Sequence, residues 1–160
     1  MTPVPSCQCR ECRLACTNKP GWFQPGEAER AAKLTGMSLP NFFKRFLQVD
    51  WWCADSKVDH DVFVLSPAVV NGQPGEMFAG NPRGTCVFYK DGQCSIHAAK
   101  PFECRDAYHT DADKKIETRK VGITKKWDKQ LHQKQIKKLL GRAPRSNGDW
   151  SLLDELRAVL

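Results

Sequence analysis

The residues best suited to chemistry in this chain are sulfurs. The stretch CQCRECRLAC carries Cys7, Cys9, Cys12 and Cys16, and CVFYKDGQCSIHAAKPFECR carries Cys86, Cys94 and Cys104. A thiolate is a soft, anionic ligand that suits zinc or an iron–sulfur cluster. Cys9 and Cys12 form a Cys-x-x-Cys pair, a spacing that lets one turn of backbone aim two sulfurs at one ion. Arg10 and Arg13 interleave with them, and their charge favours the deprotonated sulfur. With thiols at both ends of a core, one inorganic centre would staple distant segments together.

The competing use of clustered cysteines is the disulfide. Eight cysteines in 160 residues fall below the density of a small disulfide scaffold. The start, MTPVPSCQC, has neither the basic beginning nor the apolar run of an export signal. No stretch approaches the ~20 apolar residues of a membrane span, and the longest apolar tract, VFVLSPAVV, is interrupted by Ser66 and Pro67. These features predict a soluble, cytoplasmic protein with no membrane partner. In a reducing compartment, clustered thiols read as metal ligands.

The two motifs, with KPGWFQPGEAERAA between them, resemble the YkgJ-type cysteine-cluster family, described as zinc- or iron-chelating domains with a CxxCxxCC signature. The resemblance spans roughly residues 7–109, and its specific parts are the two ends. Cys86, Gly92, Cys94, Ile96, Pro101, Cys104 and Arg105 fall where the family pattern puts them. In the first motif the family's adjacent cysteine pair is Ala15-Cys16 here, and Cys7, just upstream, stands in a position to replace the missing thiol. The resemblance implies metal binding and no particular reaction.

Geometry and counting constrain the ligand set. Zinc–sulfur bonds of about 2.3 Å place two sulfurs on one ion about 4 Å apart. If Asp91-Gly92 is a two-residue turn, Tyr89 lies opposite Cys94. A regular hairpin then leaves Cys86 about 10 Å away on the other face. Either the strand breaks near Cys94, or the two cysteines serve different ions, or a larger iron–sulfur cluster spans them. Two closed tetrahedral zinc sites need eight ligands unless a thiolate bridges, and the seven motif cysteines fall one short. Cys53, His97 and His109 are the candidates to complete the set. The plainer readings are a buried free thiol for Cys53 and surface imidazoles for the histidines.

The elements that must position these residues follow from pattern. PGEAERAAKLTG predicts a helix opened by Pro25-Gly26, with Glu27 and Glu29 in its first turn and Gly36 at its end. SLPNFFKRFLQ predicts a second, capped by Ser38, with Phe42, Phe43, Phe46 and Leu47 on a buried face. DVFVLSPAVV is a strand candidate ended by Pro67, QPGEMFAGNPRG a loop, and TCVFYKDGQCSIH a hairpin about Asp91-Gly92. AAKPFECR reads as a short turn or helical turn stopped by Pro101. TKKWDKQLHQKQIKKLL predicts a helix with Trp127, Leu131, Ile136, Leu139 and Leu140 inward, and 151–160 a last amphipathic helix. The expected fold is a small metal-stapled α+β domain over residues 1–112, with much irregular structure. A basic helical C-terminal extension, 113–160, packs on it.

Net charge is +7, but positions 114–145 hold twelve Lys and Arg against Glu117 and Asp128 alone. That segment is the second functional candidate. Lys125, Lys126, Lys129, Lys137, Lys138 and Arg142 could track the phosphates of a nucleic acid, with Trp127 either stacking on a base or serving the apolar stripe. Catalysis has weaker support. No Gly-rich phosphate loop or nucleophile elbow is present, Asp106 and His109 read as a solvated turn, and a zinc filled by four cysteines lacks an open position. The leading expectation is therefore a metal-binding protein. Its zinc or iron–sulfur centre rigidifies a surface for a protein partner, or is held as the protein's task. A redox or modifying iron–sulfur enzyme is the third.

Overall fold

The computed structural model describes Arg13 and residues 16–18, 20–52, 62–73, 83–106 and 112–144. Cys7, Cys9, Cys12, Cys53, His109, most of the loop at 73–84 and the helix expected at 151–160 lie outside the described residues.

The chain is α+β. Two Pro-Gly breaks set the entry. Pro20-Gly21 leads into Trp22 and Phe23, both fully buried. Pro25-Gly26 then opens α1 (Glu27–Leu34), with Gly26 at φ +88°, a conformation that favours glycine. Ser38 begins α2 (Leu39–Phe46), its Oγ accepting the Asn41 N–H at 3.4 Å. Phe42 and Phe43 are buried as expected. Leu47, expected on the same helical face, instead turns extended and starts β1 (Leu47–Trp52). A run of large apolar residues satisfies either a helix or a strand, and only its pairing partner decides. That partner is β2 (Val62–Pro67), antiparallel to β1 from Leu47 opposite Pro67 to Trp52 opposite Val62.

The outer edge of β2 is covered by side chains and backbone from elsewhere. Phe23 N donates to Leu65 O at 3.0 Å. Gln133 acts as a substitute strand: its Oε1 accepts from Phe63 N at 3.1 Å and its Nε2 donates to Phe63 O at 2.9 Å. The same Nε2 reaches Trp127 O at 2.8 Å. This carboxamide therefore satisfies both a sheet edge and a helix end. The helix end is real: the run expected as one helix is divided into α4 (Ala112–Trp127) and α5 (Gln130–Leu140), with Lys129 extended between them. Leu131, expected inward, is 74% exposed, because the break re-phases the second helix.

Both C-terminal helices pack on β2. Ile123, Trp127 and Ile136 belong to the same hydrophobic core as Trp22, Phe23, Phe42 and Val64. Trp127 Nε1 donates to Phe23 O at 2.7 Å, which locks α4 to the buried entry segment. Among the described residues no helix is long and apolar enough to cross a membrane.

The remaining elements are small and carry the sulfurs. β3 (Val69–Gln73) pairs antiparallel with β4 (Arg83–Cys86), setting Val69 opposite Cys86. β5 (Tyr89–Lys90) and β6 (Gln93–Cys94) form the hairpin, with Tyr89 opposite Cys94. Its turn residues Asp91 and Gly92 have φ +52° and +77°, the mirror-image turn that Asp-Gly favours. A 3₁₀ turn (His97–Ala99) ends before Pro101, and α3 (Phe102–Asp106) follows at once. Pro101 thus separates two short helical turns, where the sequence suggested one turn or helical turn stopped by it.

Candidate thiol centre

Four of the seven motif cysteines lie among the described residues, and all four are free thiols: Cys16, Cys86, Cys94 and Cys104. They come from four places, the helical segment 16–18, the end of β4, the end of β6 and the middle of α3. Ionising any one of them would be felt by the others: Cys16 and Cys86 are each coupled to Cys94, and Cys104 to Cys86 and Cys16. Cys16, the one thiol of the first motif among the described residues, therefore lies within electrostatic reach of the second motif's sulfurs.

The long hairpin expected from the sequence does not form. The ladder of β4 ends at Cys86 and the chain turns at Val87 and Phe88 before β5 begins. The break falls beside Cys86, not beside Cys94. Phe88 drives it. Its ring stacks on Phe42 with centroids 5.7 Å apart and tilts against Phe46 at 5.4 Å, so α2 pulls the turn into the core. The turn wraps the sulfur, and the Phe88 and Tyr89 N–H groups both hydrogen-bond Cys86.

The other sulfurs have backbone donors too. Cys94 is bonded by the Ile96 N–H. Gly21 N donates to Cys104 Sγ at 3.3 Å across 83 positions of sequence. That approach needs glycine, since a Cβ at position 21 would stand 2.7 Å from Cys104 N and 3.0 Å from its Sγ.

A buried polar network holds this contact. Glu103 Oε2 accepts the Trp22 N–H at 2.8 Å, and Glu103 Oε1 pairs with Lys120 Nζ at 2.8 Å. Lys120 Nζ lies 3.8 Å from the Trp22 ring centroid, and Trp22 Nε1 donates to Asp50 Oδ2 at 2.9 Å. Glu27, read from sequence as an acid in the first turn of the helix, is buried. Its Oε2 accepts from Gln24 N at 2.7 Å and from Phe102 N, the first N–H of α3, at 2.9 Å. A carboxylate at each end of the Pro101–Glu103 stretch thus fixes the short helix that bears Cys104.

The centre has two sides. Cys86 is buried, and the Cys104 sulfur is desolvated although its residue is partly exposed; these two form the inner pair. Burial pushes the Cys86 thiol up to about 12, against the pull of its two N–H donors. Cys104 is raised well above the ordinary thiol value by burial first, then by Cys86. Cys16 and Cys94 form the outer, half-buried pair, also raised by burial, with Lys100 drawing both back down. Burial and Lys100 lower the pKa of His97, which favours a neutral imidazole. Desolvated thiols of this kind are protonated and inert at neutral pH until something replaces the proton.

Among the described residues no group of three or more His, Cys, Asp or Glu is in position to hold a metal ion. Of the expected ligands, Cys7, Cys9 and Cys12 lie outside those residues. A separate cleft of about 300 Å³ between α1 and the 3₁₀ turn is lined by Glu27, Arg30, Lys33, Leu34, Ala98 and Ala99 and by none of the cysteines. No family model, curated protein or solved structure matches the chain.

The sequence singled out the sulfurs and missed their supports. Gly21 was visible only as a turn residue, Glu103 as a neighbour of Cys104, and Lys120 as one of twelve basic residues. A backbone donor leaves no trace in residue type, which is why Gly21 could not be read.

Proposed function

We propose that this chain binds a soft metal, zinc or the iron of an iron–sulfur cluster, through Cys16, Cys86, Cys94 and Cys104. Cys7, Cys9 and Cys12 supply the further sulfur. The observation that carries this reading is the set of backbone N–H groups aimed at Cys86, Cys94 and Cys104. Buried thiols need no such donors, whereas thiolates on a metal are stabilised and oriented by them. The resemblance of the two motifs to the zinc- or iron-chelating CxxCxxCC family supports it independently.

In this reading the ion is chiefly structural. The metal replaces the protons of these four desolvated thiols, so its binding adds directly to folding stability. Bound zinc would supply a redox-inert cross-link, and a bound iron–sulfur cluster would supply one-electron chemistry. Gly21, Glu27 and Glu103 hold Cys104, and the Phe88 turn holds Cys86, so the surface above the outer pair becomes rigid enough to receive a protein partner.

The test is elemental analysis of protein prepared without air, followed by thermal melts before and after a chelator. Stoichiometric zinc, or iron with a brown colour, together with a lower melting temperature after chelation, is expected. Protein free of both metals, melting alike with and without chelator, would sink the reading. Cys104→Ser should abolish stoichiometric binding, while Leu131→Ser, on the exposed side of α5, should leave it intact.

A further inference from the structure

The lysines of α5 are arranged in a way the metal centre does not explain. The inner side of this helix is fully used: Ile136 is buried, Leu139 and Leu140 pack on the core, Gln133 serves β2 and Gln135 Nε2 donates to Glu29 at 2.7 Å. The outer side carries Leu131, Lys134, Lys137 and Lys138, all exposed, with exposed Lys129 at its start. Lys134 has Lys137 and Lys138 three and four positions on, where side chains on a helix are neighbours about 5–6 Å apart and like charges destabilise.

A merely solvated helix relieves such repulsion with interspersed acids. Positions 129–145 contain no Asp or Glu. Among the described residues, none of Lys129, Lys134, Lys137 and Lys138 takes part in an ion pair. The negative end of the helix dipole accounts for Lys137 and Lys138 in the last turn. It does not account for Lys129 or Lys134.

We propose that the outer face of α5 binds the phosphate backbone of a nucleic-acid duplex without reading its bases. Charge complementarity selects a polyanion, and the apolar content of the face selects among polyanions. A helix that lies on a membrane presents a broad apolar surface to it. Here the apolar residues are turned into the core and Leu131 is the one large apolar side chain left outside. Single-strand binders stack bases on exposed aromatics. The one aromatic residue of 112–144 is Trp127, which is 1% exposed and bonded to Phe23 O. The stacking role weighed from sequence is thereby removed. What remains is a row of unpaired ammonium groups spanning about 13 Å of helix axis, against a duplex that presents one charge per about 1.7 Å.

The experiment measures binding of the full chain to a mixed-sequence duplex of about 20 base pairs across a salt series. With four lysines engaged, log K against log salt should have a slope of about −3.6, and affinity should fall roughly 100-fold between about 50 and about 200 mM salt. A Lys134→Gln, Lys137→Gln, Lys138→Gln triple variant should cut the slope to about −1. Its melting temperature and metal content should match those of the parent, which separates this surface from the thiol centre. Two duplexes of different sequence should bind equally. A flat salt response, a triple variant that binds like the parent, tighter binding to a single strand than to the duplex, or binding confined to vesicles of anionic lipid would each overturn the proposal.

Discussion

Gly21 donates its backbone N–H to the sulfur of Cys104 at 3.3 Å, and there is no room at that glycine for a side chain. A Cβ would meet the Cys104 backbone nitrogen at 2.7 Å, and backbone cannot swing aside. Gly21→Ala should therefore cost about 1–3 kcal/mol, as overpacking of a fixed site does, and lower metal stoichiometry. Gly122 is the control. It lies in α4 with nothing within 4 Å of its would-be Cβ. Gly122→Ala should stabilise the fold by up to ~1 kcal/mol through helix propensity alone. Urea melts of both variants with metal analysis check the pair of outcomes.

The Glu103–Lys120 pair sits one residue from Cys104 with both side chains nearly buried. Removing one partner leaves an uncompensated charge beside the Trp22 ring. Glu103→Ala should destabilise by about 3–5 kcal/mol. Glu103→Gln keeps an acceptor for the Trp22 N–H and should cost less. The Glu103→Gln, Lys120→Met double variant should lie closer to the parent than the sum of its singles, because no lone charge remains. Costs that simply add would mean the two groups do not act on each other.

The split between what pattern revealed and what it hid follows sequence distance. Gly26, Ser38 and Asp91-Gly92 announced their elements because capping and turn chemistry act within four residues. The sulfurs could be named from type and spacing. Their grouping into one ligand set remains the proposal above: Cys16, Cys86, Cys94 and Cys104 come within electrostatic reach of one another, but among the described residues no three are in position to hold an ion. The β3–β4 pairing and the division of the C-terminal helix were hidden, because each depends on a partner far along the chain. Gln133 bonds a strand residue 70 positions away while the same amide meets the Trp127 carbonyl at the end of α4, and no local window contains the first of these contacts. The turn at Val87 and Phe88 was hidden likewise, since β-prone residues continue through it and only the rings of α2 show why the strand stops.

The raised thiols give a pH signature whose sign depends on metal. In metal-free protein the folded chain keeps protons on Cys86 up to about 12, while the unfolded chain releases them near the ordinary thiol value of 9.0. Between those values the unfolded state binds fewer protons, so stability falls as pH rises. Cys16, Cys94 and Cys104 are raised too and add to the fall. In loaded protein the sulfurs are already ionised, so the alkaline loss should vanish and an acid loss replace it as protons compete for the ligands. Melting temperatures of chelated and loaded samples from acid to alkaline pH test this. Parallel curves would show that the thiols are not what the metal occupies.

Trp127 and Leu131 test the division of the C-terminal helices, because a single continuous helix would put both on one apolar face. In the fold they differ completely. Trp127 is 1% exposed and its Nε1 bonds Phe23 O at 2.7 Å, whereas Leu131 is 74% exposed. Trp127→Phe retains most of the apolar contact but orphans the buried Phe23 carbonyl, so it should cost about 1–3 kcal/mol. Leu131→Ala removes a side chain already in water and should stay within about 0.5 kcal/mol of the parent. Gln133→Ala should resemble the tryptophan change, since it strips partners from Phe63 and from the last carbonyl of α4. If Leu131→Ala instead proves as costly as Trp127→Phe, the two helices run on as one and the break at Asp128 and Lys129 is wrong. Denaturant melts of the three single variants decide between these arrangements.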